Sequence, residues 1–144
     1  MNRWFYYVRV STNGKQKTDR QIYSIELQDF CKRNGVNEKD IIVMEEKKTV
    51  KHFERPQYQL LKQVATDGDN IIVSSIDRFG RNYIQGRKEF AELINNGIKV
   101  YVLNRPILED MYKLNDNMSK FMINFLVDWE LMNAEEELKH IKER

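Results

Sequence analysis

The sequence predicts an α/β domain, a mostly parallel central sheet flanked by helices, with a long helix at its C-terminal end. Three observations point there. Short runs of β-branched and aromatic residues alternate with stretches whose apolar residues recur at helical spacing. One run, Ile71-Ile72-Val73, is apolar at consecutive positions, as a central strand covered on both faces requires. The segment from about Asn117 to Arg144 contains neither Gly nor Pro.

Taken in order, Trp4–Val10 reads as a buried strand whose single charge is Arg9. Ser11-Thr12-Asn13-Gly14 has turn chemistry, and Ile22, Ile25, Leu27, Phe30 and Cys31 then keep helical spacing up to a stop at Asn34-Gly35. Asp40–Met44 is a second strand, followed by a polar, lysine-rich loop over Glu45–Glu54. Pro56 suits the first position of a helix that carries Tyr58, Leu60, Leu61 and Val64. A third strand over Asn70–Ile76 leads into Asp77-Arg78-Phe79-Gly80-Arg81-Asn82, a helix over Tyr83–Asn96, and a fourth strand over Ile98–Leu103. Such alternation implies right-handed crossovers between parallel strands.

The division expected is a core over residues 1–115 and a long helix over 116–144. At roughly 1.5 Å per residue the Gly- and Pro-free run from Asn117 to Arg144 would reach about 42 Å as one helix, longer than the core beneath it. Met118, Met122, Phe125, Trp129 and Met132 lie on a heptad-like seam, the pattern of a helix packed along a partner. Phe121, Leu126 and Leu131 widen the apolar surface, which favours burial of one face on the core and the other on a second copy of the chain.

Composition limits the function. The 144 residues carry 24 Lys and Arg against 22 Asp and Glu, a net charge of +2, so any nucleic-acid site must be a local cluster. No apolar run approaches the roughly 18 residues of a membrane span, and the N-terminus lacks a signal-peptide pattern, so no membrane partner and a cytoplasmic location are expected. With one cysteine, Cys31, and two separated histidines, His52 and His140, no thiolate and imidazole metal cage can be assembled.

Arg9 and Ser11 stand two residues apart at the carboxyl end of the first strand, where open α/β sheets bind ligands. From these two residues alone, a structural ion pair with a helix-capping serine fits equally well. Asp77-Arg78-Phe79-Gly80-Arg81 also follows a strand's carboxyl end, so if the Asn70–Ile76 strand neighbours the first, Arg78 and Arg81 can reach the same cleft as Ser11. Several guanidiniums around a hydroxyl suit a phosphodiester, because planar paired donors match phosphate oxygens and stabilise the charge that grows during phosphoryl transfer. A nucleotide-binding reading is weaker, because Ser11–Arg20 lacks a glycine-rich phosphate cradle.

Tyr7-Val8-Arg9-Val10-Ser11-Thr12 resembles the nucleophile motif of the serine recombinases, the resolvase/invertase family. Ile76-Asp77-Arg78-Phe79-Gly80-Arg81-Asn82 resembles their second signature, and Glu54-Arg55-Pro56 supplies a third match in the expected order. The resemblance implies that Ser11 attacks a phosphate of double-stranded DNA, leaving a 5′-phosphoserine link and a free 3′-hydroxyl, with Arg9, Arg55, Arg78 and Arg81 around the phosphate. It further implies that Asp77 positions the site or manages the leaving-group proton, and that Gln16, Gln21 and Glu46 complete it. Neither metal nor other cofactor is implied, and a homodimer that pairs into a tetramer during synapsis is. Two positions depart from the family pattern: Lys48-Thr49-Val50 stands where a small residue and glycine are usual, and leucine follows Glu130 and Glu137 where arginine often follows glutamate. The chain ends within a helix-like run, Lys142-Glu143-Arg144, so a DNA-binding domain is expected downstream.

Overall fold

The computed structural model describes residues 2–10, 24–47, 55–80, 83–114, 120–121, 123–125 and 128, with the backbone alone for Asp77 and Tyr83. Its elements are β1 (Trp4–Val10), α1 (Ile25–Asn34), β2 (Ile41–Lys47), α2 (Pro56–Val64), β3 (Asn70–Val73), α3 (Tyr83–Asn95), β4 (Lys99–Val102) and a short α4 (Ile107–Met111). A 3₁₀ turn, Ile76–Phe79, joins β3 to α3. The four strands form one sheet in the order β2-β1-β3-β4, and every neighbouring pair is parallel.

Each strand serves both faces of the sheet because alternate side chains point to opposite sides. Phe5, Tyr7, Ile71, Val73, Val100 and Val102 pack with Tyr58 and Leu61 of α2 and Phe90, Leu93 and Ile94 of α3. Tyr6, Val8, Val10, Ile72 and Tyr101 pack on the opposite face with Leu27, Phe30 and Cys31 of α1. The aromatic run Phe5-Tyr6-Tyr7 is therefore core, not a base-stacking surface. Fully burying a side chain of this size contributes about 1.5–3 kcal/mol, which makes the layered packing the main stabilising term.

Several boundaries differ from the sequence expectation. α1 starts after Ser24, whose hydroxyl accepts the Leu27 N–H at 3.3 Å, and it ends at Gly35 as expected. β2 runs on to Lys47 because Glu45, Glu46 and Lys47 pair in register with Val8, Arg9 and Val10. β3 stops at Val73, and the chain tightens into the 3₁₀ turn in place of the strand residues expected up to Ile76. Helix α4 has no counterpart in the sequence reading.

Two polar fixtures tie the sheet together. Asp69, 2 % exposed, accepts from the Arg3 backbone N–H at 3.1 Å, from Arg3 Nη2 at 2.7 Å and from the Thr66 N–H at 2.9 Å. Burial pushes its carboxyl up, but the bonds from Arg3 and Thr66 outweigh that and hold it at about 2, below its usual 3.8. A depressed carboxyl stabilises the fold above the unfolded-state value and loses that contribution as pH falls through the folded one. Asp69→Asn is expected to cost about 2 kcal/mol at neutral pH. The gap between variant and wild type in urea unfolding should close between about pH 4 and pH 2, and a constant gap would reject the assignment. The other fixture is on the edge strand. Val100 directs its backbone N–H and carbonyl away from β3, and the Tyr112 hydroxyl bonds to both, accepting the N–H at 2.8 Å.

Among the described residues beyond α4, Lys120, Phe121, Ile123, Asn124, Phe125 and Asp128 have helical backbone. Ile123 is fully buried in the α2/α3 side of the core, whereas Phe121 and Phe125 are 70 % and 63 % exposed. Asp128 pairs with Arg87 of α3. Most of the long helix expected over 116–144, including Met118, Met122, Trp129 and Met132, lies outside the described residues. No helix among the described residues is long and apolar enough to cross a membrane.

Candidate active site

In a parallel sheet ordered 2-1-3-4, the connections leave β1 and β3 toward opposite sides, which opens a crevice at the carboxyl ends of these two neighbours. A cleft of about 350 Å³ lies there. Arg9 from β1 and Arg78 from the 3₁₀ turn line it together with Ser74, Ser24, Glu26 and Asn104. Two arginines from distant parts of the sequence thus line one concave surface.

Arg78 is oriented from below. Its Nε–H donates to Ser74 Oγ at 3.2 Å, and its backbone N–H to the Ser75 carbonyl at 3.2 Å. The turn itself is set by close packing on α3. A Cβ on Gly86 would stand 2.8 Å from the Ile76 carbonyl oxygen, and one on Gly80 would stand 2.7 Å from Gln85 Cβ. Real Cβ atoms do not approach so closely, so both glycines let the first turn of α3 seat directly on the Arg78 turn.

Glu46 and Arg55 occupy a different place. Glu46 is 1 % exposed and on the sheet face that carries Met44 and Tyr7, where its carboxylate accepts from the Tyr7 hydroxyl at 3.2 Å. It also accepts the N–H groups of Gln57 and Tyr58 at 3.3 and 3.4 Å. These belong to the first turn of α2, whose cap residue, Arg55, makes no side-chain cap bond. Glu46 therefore does from a neighbouring strand what a capping side chain does locally, and its negative charge complements the helix N-terminus. Burial and the Glu46 carboxylate push the Tyr7 phenol well above its usual range, with Arg55 and Arg9 opposing, so Tyr7 stays protonated and donates.

The structure thus brings Arg9 and Arg78 into one cleft and places Arg55, 5 % exposed, behind it, with its Nη1 donating to the Arg78 carbonyl at 3.3 Å. Ser11, Gln16, Gln21, Arg81 and the Asp77 side chain lie outside the described residues. Sequence reading missed Ser74, Glu26 and Asn104. The signal for Ser74 and Asn104 was their position just after the carboxyl ends of β3 and β4. Glu26 is visible only as an acid in the first turn of α1. Burial and Glu26 push the Tyr6 phenol up, and Arg78 opposes them, so both charges act on the same wall of the cleft. Among the described residues no cluster of three or more His, Cys, Asp or Glu side chains is arranged to hold a metal ion.

Comparison with known proteins adds family evidence to this geometry. The family model for the resolvase N-terminal domain matches residues 4–144. The chain is 34 % identical over 103 residues to the Transposon Tn2501 resolvase of Escherichia coli, a match covering 72 % of this chain and 50 % of that protein. It is 33 % identical over 103 residues to the Serine recombinase PinR of Escherichia coli (strain K12), with the same 72 % and 50 % covered. The chain spans about half the length of the curated relatives it matches.

Proposed function

The chain belongs to the resolvase N-terminal domain family, and on that premise we propose that it is the catalytic part of a site-specific serine recombinase acting on double-stranded DNA in the cytoplasm. The observation that carries the reading is the convergence of Arg9 and Arg78 on one cleft at the carboxyl ends of β1 and β3, with Ser11 one residue past the end of β1.

In this reading the Ser11 hydroxyl attacks a backbone phosphorus. The bond from phosphorus to the 3′-oxygen breaks, the 3′-hydroxyl leaves with a proton, and the DNA 5′ end stays on Ser11 as a phosphodiester. Bond energy is conserved in that link, so rejoining to a new 3′-hydroxyl runs the same step in reverse. Arg9 and Arg78 would bind the non-bridging oxygens, whose negative charge grows in the transition state, and Arg81 would add to them. Their positive field also favours the serine alkoxide. Asp77 would manage the leaving-group proton, Gln16 and Gln21 would order the serine loop, and Glu46 would act through the α2 cap. The experiment is to trap the intact protein on a nicked suicide substrate carrying its recombination site. A covalent protein–DNA adduct with a free 3′-hydroxyl is expected, and cleavage that leaves a hydrolysed 5′-phosphate without an adduct would reject the reading.

Residues 1–115 would form the catalytic core and 116–144 the helix through which two copies dimerise, with dimers pairing into a tetramer for strand exchange. The exposure of Phe121 and Phe125 beside a buried Ile123 supports a helix with a second apolar face. Replacing Met122 and Phe125 together by Glu is expected to move the sedimenting mass from dimer toward monomer without loss of the α/β circular dichroism. A wild-type chain that is monomeric at high micromolar concentration with Trp129 already buried would count against this.

A further inference from the structure

Arg55 adopts φ 25°, ψ 64°, a backbone conformation that residues other than glycine seldom populate, so its surroundings must hold it there. Glu46 fixes the start of α2 through the backbone, but the guanidinium is fixed by other groups. It lies 4.3 Å from the centroid of the Tyr58 ring. Tyr58 is itself fully buried, and its hydroxyl donates to Glu89 Oε2 of α3 at 2.8 Å. The same oxygen pairs with Lys62 Nζ at 3.0 Å. On its other side the Arg55 Nη1 donates to the Arg78 carbonyl at 3.3 Å. A continuous line of contacts therefore runs from Glu89 through the Tyr58 ring and the Arg55 guanidinium to the backbone of the turn that presents Arg78.

We propose that Tyr58 is a positioning residue that acts through Arg55 to hold the turn carrying Arg78 in its working orientation, an inference that rests on the recombinase reading above. A cation over an aromatic face is attracted to it, and a ring pinned at its hydroxyl cannot slide away from the cation. Burial and the bond to Glu89 push the Tyr58 phenol far above its usual range, so the donor persists at any working pH. Leucine removes both the face and the pin. Phenylalanine keeps the face.

The test combines cleavage by the intact protein on its own recombination site with NMR of the 144-residue chain. Tyr58→Leu is expected to lower the cleavage rate constant about tenfold at unchanged DNA affinity, and Tyr58→Phe by no more than about threefold. In an Arg55→Ala background Tyr58→Leu should cost nothing further, because neighbours that act through one another are not additive. The Arg78 and Phe79 amide resonances should shift in the same direction in Tyr58→Leu and Arg55→Ala and stay near wild type in Tyr58→Phe. If Tyr58→Leu does not fold, Glu89→Ala replaces it, with a loss of about threefold that also vanishes without Arg55. An equal loss with and without Arg55, or unmoved Arg78 resonances, overturns the positioning role. A defective Arg78→Lys beside a normal, folded Tyr58→Leu removes this inference alone, whereas wild-type cleavage by both Arg55→Ala and Arg78→Lys removes the functional reading and the inference with it.

Discussion

Ser11→Ala is expected to abolish the covalent protein–DNA adduct, with no detectable band on a suicide substrate that the wild type converts. A methyl group has no lone pair with which to attack phosphorus. DNA binding should be retained, because phosphate contacts depend on the arginines and not on the hydroxyl. Ser11→Cys is the informative companion, since it restores a nucleophile but forms a weaker bond to phosphorus. Full adduct formation by Ser11→Ala would reassign the nucleophile and remove the role proposed for the β1 end.

Arg78→Lys is expected to slow cleavage about a hundredfold or more, the usual consequence of losing one preorganised transition-state donor worth about 3–4 kcal/mol. The geometry explains why lysine is no substitute. Arg78 spends its Nε–H on Ser74 Oγ, which fixes the plane of the guanidinium. A lysine has one ammonium and cannot keep that bond while presenting a planar fork to phosphate. Arg9→Lys should be impaired for the same reason, with thermal unfolding of both variants near wild type. If both cleave normally, the cleft arginines are surface charge.

The parts of this protein that are legible in the sequence are those set by local pattern. Apolar runs placed the four strands, Pro56 and Gly35 marked helix ends, and strand–helix alternation implied the parallel sheet. The arginine pair at the cleft was legible because strand ends converge at the carboxyl edge whatever the loops do. What escaped depends on contacts between remote segments. The resemblance placed Glu46 at the site, whereas its capping of α2 from β2 rests on hydrogen bonds that no residue pattern announces. The burial of Arg55 follows from Tyr58 and the Arg78 carbonyl, neither of which marks itself in a residue pattern. β3 gives way to the 3₁₀ turn on which α3 seats at Gly86, close to the Ile76 carbonyl, an approach that only the folded chain reveals.

The Tyr112 hydroxyl on Val100 bears on how copies of this protein can crowd together. An open parallel sheet leaves unpaired backbone groups along its outer strand, and such a row recruits strands from other molecules into aggregates. β4 is four residues long, and a side chain already occupies the outward amide and carbonyl at Val100. A foreign strand would have to evict a half-buried phenol before forming its first hydrogen bond there. Copies of the protein at high local concentration are thereby hindered from sheet-to-sheet fusion at this position.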